Sequence, residues 1–176
     1  NTDAPTVTIR NEYVKHLQKM LILTGENAAI ASEKATLIMK LETDLAKASR
    51  KIEALRDPLK NYNKMSVSQF SATTPSISWD KMLVSLGVKN ADSVIVGQPE
   101  FFKALDGMLK SYSVEDWKAY LKWDLVNTYA SYLDSNIEDQ NFTFYSTVMS
   151  GVKEQRPRWK RVVEQTNGSL GELIGQ

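Results

Sequence analysis

Cysteine is absent from this 176-residue chain, and histidine occurs once, at His16. The first absence excludes disulfides, thiolate nucleophiles and Cys-ligated metals together. The second excludes a zinc site of the His-Glu-x-x-His type within the chain, because that motif sets two histidines on one helical face. A Ser-His-Asp triad would rest on His16 alone, which stands in YVKHLQKM with no nucleophile signature beside it. No apolar run reaches the roughly 18 residues that a bilayer-spanning helix needs. Charge of one sign is also missing: 22 Lys and Arg face 21 Asp and Glu, for a net charge of +1. Nucleic-acid binders carry a basic excess on one surface, so no nucleic-acid partner is expected. The start, Asn1-Thr2-Asp3-Ala4-Pro5, has neither an initiator Met nor a signal-peptide pattern and reads as trimmed.

What is present is helical periodicity. Hydrophobic residues make up 42% and charged residues 24%, ordinary for a soluble globular protein, and the length suits a single domain. Residues 8 to 24 carry Ile9, Tyr13, Leu17, Met20 and Leu21 on one stripe, with Gly25 as a natural stop. A second helix is expected from Asn27 to about Leu55, on the seam Ile38, Leu41, Leu45, Ala48, Ile52 and Leu55, ended by Asp57-Pro58. Ser66 to Gln69 fits a capping box, and TTPS at 73 to 76 is a break. Ser78 is expected to cap a helix with Trp79, Met82, Leu83 and Leu86 on one face, closed by Gly87. DSVIVG, 92 to 97, is the one β-like run. Pro99 opens a helix through Phe102, Leu105 and Leu109, and Ser113 with Asp116 caps the next, which carries Trp117 through Leu133. Phe142, Tyr145, Val148 and Met149 mark another, closed by Gly151. Pro157 opens a further one with Trp159, Val162 and Val163, and the tail NGSLGELIGQ breaks off without a clean cap. The fold class is all-α, about seven helices with at most one short β-like segment.

Several features invite a functional reading and have a plainer one. The basic cluster KEQRPRWKR, 153 to 161, is one stretch interrupted by Glu154, and reads as a solvated helix start whose arginines pair with acids elsewhere in the fold. Glu115-Asp116 and Glu138-Asp139 are adjacent pairs, which do not face each other on a helix, and they read as N-terminal charges favouring the dipole. His16 reads as a structural histidine at the surface or half-buried. Trp117, Tyr120, Tyr129 and Tyr132 read as core. The triplets NFT at 141 to 143 and NGS at 167 to 169 fit the glycosylation pattern and carry little weight.

LRDPLKNYNKM, 55 to 65, resists single-residue explanation. A helix stop and a loop whose Asp57 and Asn63 satisfy orphan backbone groups account for each residue separately, not for the string. The longer stretch ETDLAKASRKIEALRDPLKNYNKMSVSQF resembles a segment of the neprilysin family of zinc metallopeptidases, which includes the endothelin-converting enzymes and bacterial oligopeptidases. The matching positions are Glu42, Leu45, Ala46, Arg56, Asp57, Pro58, Tyr62, Asn63 and Met65. The likeness continues in order through ISWDKMLVSLGV, SVIVGQPEFFKALDGML and SVEDWKAYLKWDLVNTYASYL. It reaches FTFYSTVMSGVKEQRPRWKRVVEQTNGSLGELIGQ with Gly151, Arg158, Trp159 and Gly175, and covers residues 10 to 176.

The resemblance implies a two-lobed enzyme in which a helical cap closes over a central cavity and restricts entry to peptides. This chain matches part of that cap. None of the family's zinc ligands, catalytic acids or substrate-carboxylate arginines falls on it, so no catalytic, metal or substrate-binding residue is assigned. The motif residues Glu42, Arg56, Asp57, Pro58, Tyr62, Asn63, Met65, Arg158 and Trp159 are expected to be structural, with Tyr62 packed inward and Arg56 and Asp57 paired to other parts of the domain. Zinc would belong to the parent enzyme and not to this segment. The implied partners are the catalytic lobe of the same polypeptide and peptide substrates, the implied location is outside the cytoplasm, and the lack of cysteine points to a bacterial member. The competing reading is a stand-alone, non-catalytic helical module that binds a peptide or protein.

Overall fold

A computed structural model describes residues 3–175 of the chain. Asn1, Thr2 and Gln176 lie outside the described residues, and with them most of the trimmed-start reading. The described chain forms α1 (Ala4–Leu23), α2 (Ala28–Ala48), α3 (Ile52–Leu55), β1 (Asn63–Ser66), α4 (Val67–Thr73), α5 (Trp79–Ser85) and β2 (Ser93–Val96). It continues through α6 (Pro99–Ser111), α7 (Val114–Thr128), α8 (Ser135–Phe142) and α9 (Arg158–Ile174). A 3-10 turn spans Ala130–Tyr132, and a π-helical segment, Thr143–Val148, continues α8. Backbone contacts divide the chain into two compact units, residues 1–27 with 126–176, and residues 28–125.

In the first unit α1 begins earlier than its apolar stripe suggests. Asp3 accepts a hydrogen bond from the Thr6 N–H at 2.9 Å, and Pro5 sits where a missing N–H costs nothing. The helix ends where Gly25 takes φ +95° and donates to the Ile22 carbonyl, while Glu26 N–H reaches back to Leu21. His16, Leu17, Met20 and Leu21 form its buried face. That face packs on α8 and the π segment, which contribute Ile137 and Phe144. Asp134 caps α8 through the N–H groups of Asn136 and Ile137, ahead of the start that the apolar residues marked.

The second unit is built on α2, whose Ala31, Ala35, Ile38 and Leu41 are fully buried, and which packs on α6. The expected single helix to Leu55 is interrupted after Ala48: Ser49 and Arg50 leave the helical path before α3 resumes it. Two strands are present rather than one. β1 pairs antiparallel with β2 in the register Asn63–Val96, Lys64–Ile95, Met65–Val94 and Ser66–Ser93. Ser66 ends β1 and also begins α4 through the expected capping box: its Oγ accepts from Gln69 N–H at 3.1 Å, and its own N–H donates to Gln69 Oε1 at 2.9 Å. Beneath the hairpin Trp79 stacks on Phe70 at 4.4 Å, and Phe102 meets both rings edge-on. The Trp79 indole N–H donates to Thr74 Oγ1 at 2.7 Å, so this half-buried aromatic leaves no orphan donor. Gly87, at φ +78°, closes α5 as its sequence position suggests.

Candidate functional site

Three side-chain clusters stand out. The first centres on Arg50 in the second unit. Its Nη1 donates to the carbonyl oxygens of Lys60 (2.8 Å) and Gly97 (3.0 Å) and to Asn61 Oδ1 (3.0 Å). Its Nη2 donates to Glu100 Oε2 at 2.9 Å and its Nε to Glu100 Oε1, a forked pair that holds the Glu100 carboxyl below its usual range. The Arg50 N–H donates to Gln98 Oε1 at 2.8 Å. One side chain thus ties the break after α2, the loop after Pro58, the end of β2 and the start of α6.

The loop is closed from within as well. Asp57 Oδ1 accepts from the N–H groups of Leu59 (3.1 Å) and Lys60 (3.2 Å), and these bonds with Lys60 lower its pKa. Asn61 Nδ2 donates to the carbonyls of Ala54, Leu55 and Asp57, at the end of α3 and just beyond it. Asn63 Nδ2 donates to Val96 O at 3.0 Å, fastening the loop to the hairpin. Three polar residues of the string, Asp57, Asn61 and Asn63, thus bond backbone groups around the helix end and the strand end.

The motif residues fall as follows. Glu42 is half-buried and accepts from the Trp123 indole N–H at 3.1 Å. Met65 is half-buried in β1, and Pro58 is exposed. Two expectations need correction. Tyr62 does not pack inward; it is 57% exposed, because β1 begins one residue later and the loop turns it outward. Asp57 pairs within its own loop, and Arg56 is exposed at the end of α3. The residues that sequence reasoning missed are Arg50 and Glu100. They lie 50 positions apart, and only covariation across relatives could have joined them.

The second cluster lines a cavity of about 640 Å³ in the first unit, between α8, the 3-10 turn and α9. Buried Glu138 binds Arg161 directly and lies 3.9 Å from Arg158, so the basic stretch does pair with an acid elsewhere in the fold. Tyr132 Oη donates to Gln165 Oε1 at 2.7 Å across the same cavity. Tyr132 and Tyr129 are exposed and Trp117 and Tyr120 half-buried, so the expected aromatic core is carried by Trp123 instead. Trp159 is also exposed, on α9, a helix that runs through the glycine-bearing tail as far as Ile174.

The third is His16. It is buried rather than half-exposed, stacked on Phe144 at 4.8 Å, with Nδ1 bonded to Gln140 Nε2 at 3.1 Å. Burial, with Lys19 nearby, lowers its pKa to about 4. Among the described residues, no three His, Cys, Asp or Glu side chains gather as a metal-holding group. The Arg50 cluster can hold backbone in place; its donors are permanently charged and its acceptors are mostly carbonyls, so it has no proton to move.

Comparison with known proteins places this architecture. The family model for the N-terminal part of Peptidase family M13 matches residues 1–176. Neprilysin-3 of Drosophila melanogaster is 27% identical over 95% of this chain and 22% of its own length. An endothelin-converting enzyme homolog of Locusta migratoria is 24% identical over 95% of this chain and 24% of its own. The crystal structure of the Mycobacterium tuberculosis zinc metalloprotease Zmp1 with an inhibitor superposes with a TM-score of 0.90 at 26% identity, covering 99% of this chain and 27% of that one. The chain therefore spans about a fifth to a quarter of the length of the curated relatives it matches.

Proposed function

Because the chain belongs to peptidase family M13, we propose that it forms part of the N-terminal helical cap of a zinc metalloendopeptidase whose catalytic lobe lies elsewhere in the same polypeptide. The observation that carries this reading is the likeness to a solved zinc metalloprotease along 99% of the chain. The described residues do not fit a zinc site: the one histidine is packed against aromatic rings, and no three His, Cys, Asp or Glu side chains among those residues gather as ligands. The metal and the chemistry it supplies, activation of water and polarisation of the peptide carbonyl, belong to the other lobe. The role of this segment is to enclose a cavity, exclude water on closure and admit peptides by size. The parent protein acts outside the cytoplasm, as the family likeness suggests.

The experiment is a pair of assays. The full-length polypeptide is expected to bind zinc and cleave short peptides while leaving folded proteins intact, and the 176-residue chain alone to do neither. Zinc-dependent cleavage by the short chain overturns the cap assignment. The exposure of Tyr129, Tyr132 and Trp159 favours a second reading, a stand-alone module that presents aromatics to a peptide or protein. A natural stop codon close after Gln176 would select it.

A further inference from the structure

The two edges of the β1–β2 hairpin are not alike. Val67 N–H donates to Asp92 O at 3.2 Å, in continuation of the strand register. Hydrogen-bonded pairs alternate with non-bonded ones in an antiparallel ladder, so Met65–Val94 and Asn63–Val96 are the bonded pairs. The N–H and C=O groups of Lys64 and Ser66 on β1, and of Ser93 and Ile95 on β2, therefore point away from the hairpin. On the β1 side this edge is partly blocked. Ser66 N–H is taken by Gln69 Oε1 at 2.9 Å, and Lys64 places a charge on the edge, a common guard against further pairing.

The β2 edge has neither guard. No backbone hydrogen bond among the described residues takes up the outward groups of Ser93 or Ile95, and Ile95 is 59% exposed. Beside this strand lies an apolar cavity of about 300 Å³, lined by Phe70, Trp79, Leu83 and Phe102 together with Val94 and Val96. Its size is at the lower end of cavities that hold small ligands. Open backbone groups call for another extended backbone, and the cavity calls for an apolar side chain projecting from it on the Val94 and Val96 face.

We propose that the outer edge of β2 binds an extended peptide as a third strand, with one large apolar side chain entering the cavity walled by Trp79, Leu83 and Phe102. Main-chain bonds to Ser93 and Ile95 supply register, and the cavity supplies side-chain selectivity, as in other strand-addition modes. A second copy of β2 fits less well. Two such edges meeting antiparallel would set Val94 against Val94, and valine is too small to fill the space under Trp79. The inference goes beyond the peptidase assignment: it rests on the β2 edge and the cavity beside it as the described residues form them.

The test is calorimetric titration of the full-length polypeptide with acetyl-Thr-Leu-Thr-Leu-Thr-amide, and with the same peptide N-methylated at its central amides. The unmodified peptide is expected to bind, and the N-methylated one at least about ten-fold more weakly. Ile95→Pro removes one outward N–H without touching the β1 ladder and is expected to weaken binding by a similar factor. Ile95→Lys, a milder change at an exposed position, should do the same with the melting curve unchanged. Equal affinity for the two peptides, affinity unaltered by either substitution, or no heat at roughly millimolar peptide overturns the proposal. So does a concentration-dependent dimer that Ile95→Lys abolishes in the absence of peptide binding, because the edge is then occupied by a second copy.

Discussion

A guanidinium carries five donors in a fixed plane, and Arg50 uses that plane to join segments that no helix or strand connects. Lysine offers one tetrahedral donor group and cannot reach two carbonyls and a forked carboxylate at once. Arg50→Lys is therefore expected to lower the melting temperature clearly, and Arg56→Ala, at an exposed position, to leave it nearly unchanged. Thermal unfolding by circular dichroism decides; equal effects would remove Arg50 from its role. His16 sets the acid behaviour of the first unit. Its pKa falls to about 4 in the fold from the ordinary 6.5, so between those values the unfolded chain binds the extra proton. Stability is fully present above about pH 6.5 and declines as pH falls toward 4, by up to about 3 kcal/mol. His16→Phe, which keeps a ring against Phe144, should flatten that part of the profile in urea titrations at pH 7 and 4.5. An unchanged slope would contradict the assignment. None of this was visible in the string around His16, because burial is set by Phe144 and Gln140, more than a hundred residues on.

At the scale of elements, what could be read from sequence was what is local. The capping box at Ser66 and the stops at Gly25 and Gly87 stand where adjacent residues required them. Ser66→Ala is expected to cost about 1 kcal/mol, read from chemical denaturation; a cost near zero would mean that the strand before it, not the cap, holds α4. What escaped reading was decided at long range. β1 is a polar four-residue stretch, NKMS, that becomes a strand only because β2 pairs with it. The break after Ala48 interrupts an unbroken heptad seam, because Arg50 is drawn to Glu100 and Gly97. The π segment replaces an expected α-helix where Phe144 and Tyr145 meet His16. The motif string could be recognised in advance as a unit, while Arg50, which donates to the Lys60 carbonyl and to Asn61 Oδ1, lies outside it.

At the scale of the molecule, charge balance and residue spacing assign no chemistry to the chain, and the proposed role rests on its membership of the family and its likeness to a solved zinc metalloprotease. Two helices expose apolar side chains among the described residues. Trp159, Val163 and Leu173 on α9, and Val114, Leu121 and Leu125 on α7, are all more than half exposed. Apolar exposure of that extent favours association, so the isolated 176-residue chain is expected to self-associate in sedimentation velocity as concentration rises. A strictly monomeric boundary at high concentration would contradict this. The most direct test of the central claim is to read the source gene beyond the codon for Gln176. The account predicts an in-frame His-Glu-x-x-His motif and a later glutamate within the span that the relatives' lengths imply. A stop codon within a few residues of Gln176 would contradict it and leave a non-catalytic binding domain in its place.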